Sequence, residues 1–246
     1  MVVAKPLDGG VPSELTKLEQ PSSVAGLLAD GTYVYVAESR RGTISRYPTG
    51  GGPGEVLIAG QSWLGDFIAD ATHLYWTSGS FNDMRDIYQL EKRGGSPKLL
   101  ASELRPSNLT ESGDHLYYRD GREPEINRLP KIGGEPVRMP TSNWTFGLAV
   151  RGSFLYYGSS GAIRRMSING GSETQLFTID STDFSMDETH AYWVGDMQIV
   201  GARVEQGSQP SRVAGFDREF KGFALNGNFL YIASFNQIVR VPKAMN

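Results

Sequence analysis

Thr32-Tyr33-Val34-Tyr35-Val36 is the stretch on which the fold turns, because the same phrase returns five more times in the chain. It recurs as Thr72-His73-Leu74-Tyr75-Trp76, Asp114-His115-Leu116-Tyr117-Tyr118, Ser153-Phe154-Leu155-Tyr156-Tyr157, Thr189-His190-Ala191-Tyr192-Trp193 and Asn228-Phe229-Leu230-Tyr231-Ile232. The central tyrosines are spaced by 40, 42, 39, 36 and 39 residues, so six units of about 39 residues take up almost all of the 246. A period in this range marks one supersecondary unit stacked on copies of itself.

Outward from the phrase, each unit reads as four short strands, A to D. Strand A is a short apolar run such as Gly26-Leu27-Leu28-Ala29-Asp30 or Phe67-Ile68-Ala69-Asp70, and strand B is the aromatic phrase. Strand C alternates, as in Ile44-Ser45-Arg46-Tyr47, Ile87-Tyr88-Gln89-Leu90 and Ile126-Asn127-Arg128-Leu129, and a period of two favours strand over helix. A glycine pair then punctuates four units (Gly51-Gly52, Gly94-Gly95, Gly133-Gly134 and Gly170-Gly171) before a short strand D such as Glu55-Val56-Leu57-Ile58. Four strands every 40 residues or so are the pattern of a β-propeller blade. The expected fold is therefore all-β: a six-bladed β-propeller of four-stranded antiparallel blades, with residues 1–246 as a single domain. Asp8-Gly9-Gly10 and Glu14-Leu15-Thr16-Lys17-Leu18 match a glycine turn and a strand D. An N-terminal strand is thus expected to complete the C-terminal blade and remove an exposed edge. Val2–Pro6 and Ile238–Val241 both resemble a strand C and compete for third place in that blade.

Composition agrees. Thirty glycines, 13 prolines and 39% hydrophobic residues suit many short strands and turns. Lys+Arg 24 against Asp+Glu 27 gives a formal net charge of −3, which disfavours nucleic acid as a partner. The absence of cysteine removes thiolate nucleophiles, disulfides and zinc–thiolate sites. No run of about 18 apolar residues is present, so no membrane insertion is expected. Met1–Pro6 lacks the layout of a signal peptide, and a secreted, periplasmic or cell-surface location after removal of a signal is favoured over a cytoplasmic one.

Leu74–Thr77, with Arg128-Leu129-Pro130-Lys131-Ile132-Gly133-Gly134, resembles the six-bladed propellers related to the low-density-lipoprotein-receptor YWTD and NHL groups. The likeness is greatest to bacterial repeat proteins written as Asp-x-x-x-Val/Leu-Tyr-Trp followed by Lys-x-Gly-Gly. It covers almost the whole chain and implies a fold; it implies no function. No unit spells the full Tyr-Trp-Thr-Asp: the corresponding fourth residues are Glu38, Ser78, Asp120, Ser159, Gly195 and Ser234.

In a propeller the D–A and B–C connections emerge on one face. The B–C loops differ most between units, from Glu38-Ser39-Arg40-Arg41 to Ser78–Asp86 and Arg119-Asp120-Gly121-Arg122-Glu123, and variable loops on a repeated scaffold carry binding chemistry. Eleven places before the strand-B aliphatic stand Ser23, Trp63, Arg105, Trp144, Asp180 and Glu219. Two tryptophans with an arginine and two acids would make a cup for a sugar, a peptide or a small cation; the competing reading packs both tryptophans between blades. Eight places before the same aliphatic stand Gly26, Asp66, Asn108, Gly147, Asp183 and Gly222. Asp66, Asn108 and Asp183 are candidate ligands for Ca²⁺ or another hard divalent cation in the central channel, similar to the site of gluconolactonase and regucalcin-like propellers. The competing reading has these short polar side chains capping strand starts.

His73, His115 and His190 share one repeat position with Tyr33, Phe154 and Phe229, a pattern that selects a flat ring and argues against a histidine metal cluster or a serine–histidine–aspartate triad. With no nucleophile–base pair legible, the expectation is a non-enzymatic, monomeric binding propeller for a protein, peptide or glycan, needing no cofactor. Trp63, Arg105, Trp144, Asp180 and Glu219 are its candidate contacts. The alternative is a divalent-metal-dependent hydrolase, lactonase or lyase.

Overall fold

A computed structural model describes residues 2–4, 13–16, 23–79, 84–181, 184–205, 207–216, 220–226, 229–234 and 238–243. Among them every regular element is a strand, and each repeat forms its own antiparallel sheet with the strands hydrogen-bonded in chain order. A short pair, β1 (Val2–Ala4) and β2 (Ser13–Thr16), comes first. The blades are β3 (Val24–Ala29), β4 (Tyr33–Glu38), β5 (Thr43–Pro48) and β6 (Glu55–Ile58); β7 (Phe67–Ala69), β8 (His73–Gly79), β9 (Arg85–Glu91) and β10 (Lys98–Leu104); and β11 (Pro106–Ser112), β12 (His115–Asp120), β13 (Glu125–Pro130) and β14 (Val137–Pro140). They continue with β15 (Thr145–Arg151), β16 (Phe154–Ser159), β17 (Ala162–Ser167) and β18 (Thr174–Thr178); β19 (Phe184–Met186), β20 (His190–Gly195), β21 (Gln198–Arg203) and β22 (Ser211–Gly215); and β23 (Phe220–Asn226), β24 (Phe229–Ser234) and β25 (Ile238–Pro242).

Two compact units are distinguished, Met1–Arg122 with Asn127–Arg138, and Glu123–Ile126 with Met139–Asn246. In the first, β3 lies beside β7 and β7 beside β11. Strand B is buried on both faces, which is why its phrase is a continuous apolar and aromatic run. Tyr35 of the first blade packs with Leu74 and Trp76 of the second, and Tyr75 of the second with Leu116 and Tyr118 of the third. In the second unit the relation repeats, Tyr156 with Trp193 and Tyr192 with Leu230 and Ile232. Each aromatic ring is thus shared by two neighbouring blades, and burying one contributes about 2–3 kcal/mol.

The glycine pairs do what their repetition suggests. Gly94 and Gly95 have φ of 100° and 127°, left-handed backbone that other residues avoid, and the Gly94 N–H donates to the Glu91 carbonyl (2.9 Å) to close the turn. The shared ring position is also accounted for. His73, His115, Phe154 and His190 lie 6.1–6.4 Å, centroid to centroid, from the tyrosine two places on. Arg46, Arg165 and Arg240 lie over Tyr33, Phe154 and Phe229, respectively.

Among the described residues β2 pairs with β1, and the last sheet has three strands, with Ile238–Pro242 as the third. Val2–Ala4 therefore serves β2 and leaves third place in the last blade to β25. The Asp8-Gly9-Gly10 turn lies outside the described residues.

Candidate ligand-binding site

In the first unit the connection from β6 to β7 is pinned to β8 by a run of hydrogen bonds. The N–H of Gly79 and the Ser78 hydroxyl both donate to the Ser62 carbonyl (2.8 Å each), Gly65 N–H donates to the Thr77 carbonyl (2.9 Å), and Asp66 N–H to Thr77 Oγ1 (3.0 Å). Trp76 Nε1 donates to Gln61 Oε1 (3.0 Å). This loop carries Trp63, 44% exposed, with φ of 41°. A bulky aromatic residue in left-handed backbone is uncommon and is held by its surroundings. Trp63 borders a cleft of about 460 Å³ lined also by Gln61, Ser62, Ser78, Asp86 and Tyr88. Tyr88 stacks on Trp76 with centroids 5.6 Å apart and donates its hydroxyl to Asp86 Oδ2 (3.1 Å).

A second cleft, of about 470 Å³, opens in the same unit between Gly65, Asp66, Arg85, Arg105, Ser107 and Gly121. Asp66 Oδ2 accepts the Leu109 N–H (3.2 Å), and Arg119 Nη1 donates to Asn108 Oδ1 (2.6 Å). Burial pushes the Asp66 carboxyl above the usual carboxylate range, against the pull of the Leu109 N–H, Arg85 and Arg119. Burial likewise lowers the Arg119 guanidinium, with the Asp66 charge opposing.

In the second unit Trp144 is 56% exposed, and Asp180 is exposed as well. Both tryptophans at this repeat position therefore face solvent. Ser23 is exposed, and its carbonyl accepts the Ser39 N–H (2.7 Å). Glu219 and Asp183 lie outside the described residues.

At Asn108 the oxygen-bearing repeat position has a backbone explanation. The pairing register slips across Val24/Gly26, Ser107/Thr110 and Phe146/Ala149, so this position falls at a β-bulge. Asn108 and Gly147 share a φ of 54°, and a Cβ on Gly147 would stand 2.7 Å from Phe184 Cε1. At these two places Asn and Gly are equivalent because both tolerate left-handed backbone. Asp66 and Asn108 do not fit a divalent cation as arranged, since arginines already supply the positive charge around them. Among the described residues no three His, Asp or Glu side chains are grouped to hold a metal ion.

The sequence pointed to Arg105 and missed Arg85 and Arg119. Both stand in segments read as variable B–C loops, but they belong to the strand ends of β9 and β12. A loop arginine next to a strand-B terminus was the available signal.

No family model matches the chain, and no curated protein matches it. Solved structures do. Virginiamycin B lyase from Staphylococcus aureus, a catalytically inactive form with quinupristin, is 15% identical over 98% of this chain and 87% of that one, with a TM-score of 0.72. The fold is a six-bladed β-propeller. An oligogalacturonate lyase in complex with manganese has a TM-score of 0.80 at 11% identity, over 98% of this chain and 82% of that one. A chain of the nidogen/laminin complex is 22% identical over 68% of this chain and 67% of that one, with a TM-score of 0.54. The propeller fold thus serves both binding proteins and enzymes.

Proposed function

We propose that this chain is a non-enzymatic, monomeric binding propeller that recognises a protein, peptide or glycan through its D–A and B–C loops, outside the cytoplasm. The observation that carries this reading is Trp63, a solvent-facing ring at φ 41° on a loop pinned by hydrogen bonds beside a polar cleft. An immobile aromatic anchor costs little conformational entropy on binding, which is why tryptophan dominates many interfaces. Trp144 offers a second exposed ring at the equivalent repeat position. The nidogen/laminin complex is a precedent for the fold in protein recognition. The two lyases, one of them in complex with manganese, are precedents for the enzymatic alternative, a metal-dependent hydrolase, lactonase or lyase, which the engaged Asp66 and Asn108 do not favour.

The test is a screen of the protein on peptide and glycan arrays alongside Trp63→Ala and Trp144→Ala. Ligands retained by the wild type and lost by a Trp63→Ala protein that remains folded support the reading. A set of ligands indifferent to both substitutions overturns it.

A further inference from the structure

The cleft beside Trp63 has a charge of its own. Among the described residues that line it Asp86 is the one acid, and none is a lysine or an arginine. Side chains alternate along β9, so Arg85 lines the second cleft whereas Asp86 and Tyr88 line this one. Asp86 is held in place but not neutralised. Its Oδ2 accepts the Tyr88 hydroxyl (3.1 Å) and its Oδ1 accepts the Glu103 N–H (3.3 Å). Both donors are neutral, both bonds are long, and among the described residues Asp86 makes no ion pair. A carboxylate offers about four acceptor positions, so about two stay open to a ligand. Glu103, exposed and at a φ of 58°, adds a second acid beside it.

The Tyr88 ring that steadies Asp86 is itself fixed, stacked on the fully buried Trp76. The same cleft is bordered by Trp63, which keeps 44% of its surface in solvent. An indole face attracts cations more strongly than the other aromatic rings do, and the attraction grows as water is excluded. A neutral ligand laid over Asp86 takes water from a charge without supplying a counter-charge, whereas an ammonium or guanidinium group supplies both charge and donors. The Ser78 and Tyr88 hydroxyls already donate within the protein, so the surroundings of Asp86 offer acceptors, and the head groups of lysine and arginine are all donor.

We propose that the Trp63 cleft binds a cationic side chain, the guanidinium of an arginine or the ammonium of a lysine presented by a peptide or protein. Trp63 receives the cation on its ring, Asp86 supplies the counter-charge, and Tyr88 is a positioning residue that acts through Asp86. The inference rests on the reading of Trp63 as a binding anchor and deepens it: at that site it selects a cationic peptide over a glycan.

The experiment follows the Trp63 indole N–H by two-dimensional NMR, assigned through Trp63→Phe, while the intact chain is titrated with glycine-flanked, end-capped pentapeptides. The central residue is arginine, lysine or one of their neutral counterparts, citrulline and norleucine. Arginine or lysine should shift the resonance with a millimolar or tighter constant that weakens as salt rises, and the neutral peptides should leave it in place. Asp86→Asn should weaken the binding about tenfold or more. Tyr88→Phe should weaken it several-fold, and that loss should vanish in the Asp86→Asn background, where a merely structural role for the Tyr88 hydroxyl would persist. Glu91→Gln, at an exposed ion pair with Arg93, should change nothing. Equal shifts from arginine and citrulline, no shift at about 20 mM peptide, or full binding by a folded Asp86→Asn overturns the proposal. Should Asp86→Asn fail to fold, the comparison of arginine with citrulline decides. The arrays separate this inference from the reading beneath it. Neutral ligands lost with Trp63→Ala but indifferent to Asp86→Asn overturn the cationic assignment and keep the Trp63 anchor, whereas the absence of any Trp63-dependent ligand removes both.

Discussion

Lys131 Nζ stands 2.8 Å from Asp70 Oδ2 and fastens the third blade to the second. Asp70 begins the turn between β7 and β8: its Oδ1 accepts the N–H groups of Thr72 and His73, and its Oδ2 accepts the Tyr75 hydroxyl (2.7 Å). Lys131 arrives from the end of β13, and also donates to Glu111 (2.8 Å). The same staple joins Lys92 to Asp30 (3.2 Å), with the Tyr35 hydroxyl on Asp30, and Lys243 to Asp187 (3.0 Å), with the Tyr192 hydroxyl on Asp187. Where a unit lacks the aspartate, the next lacks the lysine: Ser112 is followed by Ile168, and Arg151 by Val204. Arg151 reaches the next blade itself, donating to the carbonyls of Asp187 and Met186. The Asp-x-x-x-x-Tyr and Lys-x-Gly-Gly phrases are therefore two halves of one contact between neighbouring blades.

Removing one half should cost more than an ordinary surface ion pair does. Lys131 and Asp70 side chains are 13% and 17% exposed, and Lys131→Met leaves Asp70 with its hydroxyl and N–H donors but no counter-charge. A loss of about 2 kcal/mol is expected in urea unfolding. Arg93→Gln, at a largely exposed pair with Glu91, should stay within about 0.5 kcal/mol. Equal effects from the two substitutions would show that the staple is ornamental.

The staples also set an acid limit. Burial opposes ionisation of Asp30, but the N–H of Tyr33, the Tyr35 hydroxyl and Lys92 outweigh it and hold the carboxyl down to about 2; Asp70 and Asp187 lie well below the usual range for similar reasons. A depressed carboxyl gives stability that is complete above the unfolded value near 3.9 and is lost as pH falls through the folded one. Melting temperature should therefore fall between about pH 4 and 2, with each staple contributing on the order of 1–2 kcal/mol. Burial and Asp30 raise the Tyr35 hydroxyl to about 12, so its share is present below about pH 10 and is lost as pH rises towards 12. Asp70→Asn should flatten part of the acid limb and leave the alkaline limb due to Tyr35 in place.

The blades were legible because their rule is local and repeated: the strand-B tyrosine, the glycine pair and the alternation of strand C all recur at fixed offsets. The third strand of the last blade was not, since Val2–Pro6 and Ile238–Val241 carry the same strand-C pattern and only the pairing of Ile238–Pro242 with β24 tells them apart. At Asn108 the sequence suggested ligand chemistry, whereas the property it shares with Gly147 is backbone conformation. Residue type alone does not separate an Asn that ligates from an Asn that tolerates positive φ. Arg85 and Arg119 escaped because the clefts form only where strand ends of neighbouring blades meet.

The bulge makes its own prediction. Asn108→Gly keeps the φ of 54° and forfeits only the contact with Arg119, so its cost should be below about 1 kcal/mol. Asn108→Val puts a branched side chain into left-handed backbone and should cost about 2 kcal/mol or more. Gly147→Ala meets both the same φ and the Phe184 ring and should be comparably damaging. Thermal unfolding of the three variants checks the order, which a role for Asn108 in metal ligation would not produce without added metal.

Trp63 separates strain from function. Left-handed backbone costs a non-glycine residue about 1–2 kcal/mol, and glycine at the same place removes that cost while adding about 0.5–1 kcal/mol of chain entropy to the unfolded state. More than half of the residue is covered, since 44% is exposed, and losing that burial costs about 2–3 kcal/mol. Trp63→Gly should therefore cost about 1–3 kcal/mol in urea unfolding, whereas Trp76→Gly, at a ring with no exposed surface between two blades, should unfold the protein or cost more than about 4 kcal/mol. A Trp63→Gly protein that loses no more than this and stays folded, yet is blank on the arrays, would mean that the strained ring is kept for its ligand. A variant destabilised as badly as Trp76→Gly would mean that Trp63 holds the β6–β7 connection in place, and the anchor would have to be sought at Trp144.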